Sequence, residues 1–325
     1  MLLLRYKTRK LVFRGLVALY FIIATWLLLF ANGFRVQLSP FTISRTGNIL
    51  ATFKPTSAEI EIDNNETRFS SPARIRSLFP GTHRATISAD GYLPYTRSIR
   101  IEPKKTSFIS NIFLLKDASP EPLSGTITEP RELSAEDLLA QTIGKNVELV
   151  TTAASGTRII IGDNAVVSRD LGAGAWKIVG GDAQVVAVAR IESDEIQFRS
   201  WDQIDTIITT LPGHKVVATE FDGTESLLAI SDFEVWNFNT TSRAAELVYR
   251  FSTPIISVLP VPETTLITVA LPDEITAFHL GDHHYIPTTL IRESIVSQKI
   301  SEDGRYLHYS VKSGQDIKNF RRILY

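Results

Sequence analysis

The stretch FDGTESLLAISDFEVWNF, Phe221 to Phe238, decides how the second half of the chain is read. It places a small polar turn, Asp222-Gly223, before the apolar run Leu227-Leu228-Ala229, and closes on Glu234-Val235-Trp236-Asn237-Phe238. Short apolar runs separated by turn residues read as strands joined by tight reversals. The same element, strand, polar turn, strand, returns loosely at a spacing of about 35–40 residues. Its turns are Ser155-Gly156 before Arg158–Ile161, Gly181-Asp182 before Val185–Ala187, Pro262-Glu263 before Leu266–Thr268, and Asp303-Gly304 before Tyr306–Tyr309. With Asp222-Gly223 that makes five units.

Phe221–Phe238 and Ser301–Tyr309 resemble blades of WD-repeat and Tol-type β-propellers, in which a Ser-x-Asp-Gly turn joins the first two strands of a blade. The resemblance spans residues 147–325 and implies four-stranded sheets stacked around an axis, because one such sheet cannot cover both its faces alone. An irregular β-sandwich is the alternative fold for this region.

Toward the N-terminus, residues 117–146 contain Pro120, Pro122 and Pro130 among Ser, Thr and Glu, a composition that reads as a linker. Within it, Ser134–Gln141 is predicted as a short helix capped by Ser134.

Residues 35–116 alternate again. Ala58, Ile60 and Ile62 point one way and Glu59, Glu61 and Asp63 the other; Ala85, Ile87 and Ala89, and Ile99 and Ile101, repeat the pattern. These are predicted to be antiparallel strands with one wet face. The turns between them are Asp63-Asn64-Asn65, Pro80-Gly81 and Asp90-Gly91, residue types that tolerate positive φ or tight reversal. Pro55-Thr56-Ser57-Ala58 keeps the first and last positions of a Pro-Glu-Gly-Ala motif. Ser71-Pro72, Leu78–His83 and Asp90-Gly91-Tyr92 follow in order. In this sequence of motifs the region resembles the PEGA domain, departing from it at the two middle motif positions and at Asn65. The resemblance implies a small β-sandwich acting as an extracellular spacer or binding module, with no catalytic residues to carry over.

From Gly15 to Phe34 the chain carries no charge, and the basic residues Arg5, Lys7, Arg9, Lys10 and Arg14 precede this run. About 20 apolar residues span a ~30 Å hydrocarbon core, and cations before a span stay preferentially on the cytoplasmic side. Residues 1–14 are therefore predicted as a cytoplasmic tail, 15–34 as a transmembrane signal anchor, and the rest as extracytoplasmic. A cleaved signal peptide, cut near Ala31-Asn32-Gly33, is the rival reading. Net charge is −1 over 325 residues, so the chain beyond the basic tail is acidic, which argues against nucleic acid as a partner. There is no cysteine, which removes thiolate chemistry and disulfides.

The candidate chemical groups are few. Gly172-Ala173-Gly174 with Gly180-Gly181 looks like a phosphate loop, but no helix-forming segment follows, so hairpin turns are expected. His279, Asp282, His283 and His284 form the one histidine cluster; zinc needs them to converge, which adjacent strand residues do not do easily. Glu192, Asp194 and Glu195 offer carboxylates for glycoside hydrolysis, with acidic turns as the plainer reading. Trp176, Trp201 and Trp236, and Tyr92 and Tyr95, offer flat rings for recognition, against core packing. The sequons at Asn65 and Asn239 carry no assigned function.

The sequence thus reads as a mainly β, membrane-anchored, non-enzymatic binding or scaffold protein of the bacterial cell envelope. Its expected partners are the membrane and an envelope protein or glycan; no catalytic, metal or cofactor site is expected. A glycan or peptide hydrolase using Asp182 or Asp222 at the propeller opening, and a sensor acting through a membrane partner, are the alternatives.

Overall fold

A computed structural model describes residues 6–38, 41–65, 68–125, 127, 147–152, 156–161, 169–171, 175–182, 184–191, 193–201, 206–221, 224–280 and 285–325. The chain divides into two compact units, Met1–Leu114 and Leu115–Tyr325.

The first unit begins with helix α1, Tyr6–Ala31. Its segment Lys10–Ala31 is 22 residues long with a mean hydropathy of 2.1, and none of it is buried by the protein. At ~1.5 Å per residue such a segment is long enough to cross a bilayer. The sequence places the end of this element at Phe34, whereas the helix stops at Ala31. Gly33 adopts φ +79°, its N–H donating to Phe30 O, while the Asn32 N–H donates to Leu28 O. A left-handed glycine just past the last turn is a common helix stop.

Strands β1 (Phe34–Leu38) and β2 (Phe41–Arg45) follow as an antiparallel pair forming a sheet of their own. Then come β3 (Gly47–Lys54), β4 (Glu59–Ile62), β5 (Phe69–Ser70), β6 (Ala73–Leu78), β7 (Gly81–Ser88), β8 (Tyr95–Ile101) and β9 (Thr106–Phe113). They form two sheets, ordered β6-β3-β9 and β5-β4-β7-β8. The predicted inward residues Ala58, Ile60, Ile62, Ala85, Ile87, Ile99 and Ile101 all lie in one core with Ile49, Phe53 and Ile109. Asp63 and Asn64 adopt φ of 53° and 56°, as their turn chemistry predicts. Antiparallel pairing is the rule here, with one exception: β3 and β9 run parallel. They are the first and last strands of the sandwich, and the chain between them supplies the long crossover that parallel neighbours require. Alternation within a strand carries no information about its partner's direction.

The second unit contains four sheets built of consecutive strands and one that borrows a strand from earlier in the chain. The first is β11 (Val147–Thr152), β12 (Gly156–Ile161) and β13 (Arg169–Asp170). The second is β14 (Trp176–Gly181), β15 (Val185–Arg190), β16 (Glu195–Ser200) and β17 (Ile207–Pro212). The third is β18 (Lys215–Phe221), β19 (Thr224–Ile230), β20 (Glu234–Asn239) and β21 (Ala244–Arg250). The fourth is β22 (Ser257–Pro260), β23 (Leu266–Ala270), β24 (Ile275–His279) and β25 (Thr288–Ile291). The fifth joins β26 (Ile295–Ile300), β27 (Tyr306–Ser313) and β28 (Asp316–Ile323) to β10 (Glu121–Pro122) at its outer edge. Of the predicted turns, Gly181-Asp182, Pro262-Glu263 and Asp303-Gly304 fall between the first two strands of one sheet, in the propeller-like manner; Ser155 and Asp222-Gly223 lie outside the described residues. First strands of successive sheets are neighbours, β14 beside β18, β18 beside β22, and β22 beside β26.

The β10 pairing changes the reading of the segment taken as linker. Lys116 N–H donates to Leu324 O, Leu123 N–H to Asn319 O, and Arg321 binds Glu121 through both Nε and Nη2, at 2.8 and 2.7 Å. Residues 116–123 are thus stitched to the last sheet, since an edge strand with unpaired amides gains from any passing extended chain. Residues 134–141, predicted as a helix, lie outside the described residues.

The sheets stack through both faces. In β19, Leu227 and Ala229 join a core with Phe198 and Phe238 of the second and third sheets. Leu228 and Ile230 join another with Val258, Ile267 and Phe278 of the fourth. This explains why LLAI is an unbroken apolar run: a strand covered on both faces has no wet positions. Contact is close where first strands meet. Gly180 has φ +152° and a Cβ there would lie 2.8 Å from Val216 Cβ. Gly180-Gly181 therefore ends strand β14 against its neighbour; together they are not the simple hairpin turn that the sequence predicts. We expect Gly180→Ala to cost about 1–3 kcal/mol, seen as a lower Tm of the full chain, whereas Gly15→Ala, on the helix with no atom within 4 Å and no positive φ, leaves Tm unchanged.

Candidate functional site

Because first strands adjoin, their exposed edges form a groove. One of about 420 Å³ runs along β22 and β26, with Lys215 of β18 at one side. Ile256 and Val296 stand 42% and 41% exposed at its rim, and Lys299 and Glu302 add one charge of each sign. On its floor Gln298 is buried, its amide donating to Ser257 O at 3.2 Å and Thr268 O at 3.3 Å. Gln298 Oε1 and Ser257 Oγ are buried without a hydrogen-bond partner in the structure. Buried polar atoms are normally satisfied, but both of these lie beneath the groove surface and out of reach of a ligand lying in it. From the floor, Ser297 Oγ donates to Ser310 Oγ at 3.2 Å and Ser310 Oγ to Asn319 Oδ1 at 2.8 Å. This chain crosses the fifth sheet strand by strand. Lys299 pairs across the ladder with His308, and burial, then Lys299 and Arg321, hold the His308 imidazole below its usual range.

A second cavity, of about 400 Å³, lies between β21 and the fourth sheet, lined by Tyr249, Phe251, Asp273, Glu274, Thr276 and Thr289. Its two carboxylates are adjacent in a turn, and Glu274 Oε2 accepts from Thr289 Oγ1 at 3.5 Å.

The residues singled out in the sequence fall elsewhere. Asp182 is a turn former: its Oδ1 accepts from the Gln184 and Val185 amides, both at 2.8 Å, and Trp201 Nε1 donates to its carbonyl at 2.8 Å. Asp303 does the same in the fifth sheet, bound by Ser301 Oγ at 2.6 Å and Arg305 N–H at 3.1 Å. These two bonds hold its carboxyl below the usual carboxylate range. Asp194 and Glu195 are exposed at the β15–β16 turn; Gly213 N–H donates to Asp194 O. Trp176 is buried, with the Arg190 and Arg199 guanidinium carbons 5.1 and 5.7 Å from its ring centre. Trp236 packs on the core between the second and third sheets and donates to Glu234 Oε2 at 2.8 Å. Tyr95 is a core residue of the sandwich and Tyr92 packs against that core; burial pushes the Tyr95 phenol up to about 12, against the pull of Arg97. Gly172–Gly174, Glu192, Asp222, Asp282, His283 and His284 lie outside the described residues.

His279 is buried in β24. Among the described residues no group of three or more His, Asp or Glu is placed to hold a metal.

Sequence reasoning passed over the groove because its residues are unremarkable in type. It also passed over Phe198, Phe238 and Phe278, which recur at the third strand of three successive sheets; their even spacing was the available signal.

Residues 46–112 match the PEGA domain. That span coincides with the sandwich of β3 to β9. Among solved structures the chain is similar to Hsv2 from Kluyveromyces marxianus, 13% identical, covering 70% of this chain and 66% of that one at a TM-score of 0.37. It is similar also to TolB from Acinetobacter baumannii, 15% identical over 55% and 50% of the two chains at 0.32. A third is the N-terminal domain of Nup159, 10% identical over 42% and 41% at 0.29. The chain thus spans about two thirds or less of these structures. No curated protein matches it. The architecture agrees with the mainly β class, PEGA-like and propeller-like, that the sequence predicts.

Burial pushes the His279 imidazole down from 6.5 to about 3. The unfolded chain then binds the proton more readily than the folded one. This contribution to stability is complete above pH 6.5 and declines as the pH falls from there toward 3. Replacing the imidazole by an amide, His279→Gln, is expected to flatten the fall in Tm between pH 7 and 4; an unchanged slope in that variant would assign the acid sensitivity elsewhere.

Proposed function

We propose that the chain is a membrane-anchored, non-enzymatic binding or scaffold protein of a bacterial cell envelope. In this reading α1 spans the cytoplasmic membrane with its basic end inside, and the PEGA-like and propeller-like units lie outside. The groove along β22 and β26 receives a protein or glycan partner. The observation that carries the proposal is that groove: an open surface with half-exposed Ile256 and Val296 beside the charged groups of Lys215, Lys299 and Glu302. Such a mixture suits an extended partner that presents both apolar and polar groups. The anchor reading is supported by the length of Lys10–Ala31 and by the absence of any cover for it. The cations that precede the span favour its basic end on the cytoplasmic side.

A photocrosslinking side chain at Val296, in cells carrying the full chain, is expected to yield a discrete adduct. The same group at Arg243, in the turn joining β20 and β21, is expected to yield none. Ile256→Asp is expected to abolish the adduct without lowering Tm. Equal adducts from both positions, or turnover of a cell-wall polymer by the purified chain, would reject the proposal.

A further inference from the structure

The junction between α1 and the sandwich is not a loose tether. Gly33 O accepts from the Thr46 N–H at 3.0 Å and from Thr46 Oγ1 at 3.2 Å, and Thr46 O accepts from the Lys104 N–H at 3.0 Å. Only Asn32 and Gly33 separate the helix from β1. The base of the β1–β2 hairpin is therefore held at the end of the membrane-crossing segment.

That hairpin has an odd composition for a water-exposed ribbon. Its register pairs Val36 with Ile43 and Phe34 with Arg45. Directly opposed residues share a face, so Phe34, Val36, Ile43 and Arg45 lie together while Arg35 and Ser44 lie on the reverse. On that reverse side Arg35 Nη2 donates to Ser77 Oγ of the sandwich at 3.4 Å. On the apolar face Ile43 is 51% exposed, while Phe34 and Val36 are partly buried. A two-stranded ribbon alone is marginally stable in water, and an exposed apolar face makes it worse.

Arg45 shares this face, and Arg35, on the reverse, caps the helix end. Arg35 sits with its guanidinium carbon 3.7 Å from the Phe30 ring centre and donates to Phe30 O at 3.2 Å, just at the end of α1. Arg45 lies 4.7 Å from the Phe34 ring centre. Aromatic rings with arginine heads above them are suited to a bilayer interface, where the ring meets the acyl boundary and the cation meets phosphate.

We propose that the β1–β2 hairpin is an interfacial element that seats its Phe34–Val36–Ile43 face on the outer-leaflet lipid, with Arg45 on that face binding anionic headgroups. The proposal rests on the anchor reading above, because continuity with α1 is what places lipid beside the hairpin. Lipid cover supplies what the ribbon lacks, a partner for its apolar face, and fixes the sandwich at the membrane surface.

The chain has no cysteine, so a single introduced thiol reports one position. Ile43→Cys, Ser44→Cys and Leu27→Cys, each in the full chain, are labelled with an environment-sensitive fluorophore and reconstituted in phosphatidylcholine–phosphatidylglycerol vesicles. We expect deep-positioned nitroxide lipid to quench the label at 27. Shallow nitroxide lipid should quench the label at 43, and aqueous iodide the label at 44. If 27 is quenched from within the bilayer but 43 is as open to iodide as 44, the hairpin proposal is wrong and the anchor stands. If 43 is shielded from iodide without nitroxide quenching, protein and not lipid covers it, which also overturns the proposal. If 27 itself escapes nitroxide lipid, the anchor reading fails and the hairpin proposal with it.

Discussion

The first unit carries one demand that its own strands do not meet: the segment Lys10–Ala31 is predominantly apolar and is not buried by the protein. An exposed apolar surface of this size is not tolerated in water, and in the proposed anchor reading a hydrocarbon core of matching thickness removes it. The helix stop at Asn32-Gly33 and the hydrogen bonds from Thr46 to Gly33 tie the end of the helix to the sandwich. The remaining strands pack by the ordinary rule of alternate burial, with Ile49, Ile60 and Ile87 fully enclosed.

The second unit solves a different problem. The inner strands of its second, third and fourth sheets bury both faces, so these sheets need neighbours. The ring contacts show the consequence: Phe198 and Phe238 approach to 4.6 Å between centres across two sheets, and Phe278 meets Tyr249 at 5.3 Å across the next pair. Stacking of this kind leaves clefts where neighbouring sheets adjoin, one along β22 and β26 and one between β21 and the fourth sheet. It also places chemistry-bearing residues such as Asp182 and Asp303 in turns, where their carboxylates satisfy backbone amides.

Much of this was legible in the residues. Alternation located the sandwich core, Asp63-Asn64 and Asp303-Gly304 marked reversals, and the recurring polar turns foretold a series of stacked sheets. Pairing partners were not legible, because they depend on contacts distant in sequence: nothing local shows that β9 runs parallel to β3, or that Glu121 meets Arg321. The groove was illegible for a related reason. Lys215, Ser257 and Gln298 are ordinary residues in three separate strands, and only the stacking of those strands brings them to one surface. Conversely, the residues with the most suggestive chemistry by type, the tryptophans and Tyr95, turn out to be engaged in packing and local hydrogen bonds.

The most direct test of the account concerns the helix itself. Membranes from cells producing the full chain are washed in alkaline carbonate, which strips peripheral proteins and leaves spanning helices in place. The account requires the full-length chain in the lipid pellet, still carrying its N-terminal segment by mass spectrometry. Release into the supernatant, or recovery of a chain shortened after Ala31, would contradict it.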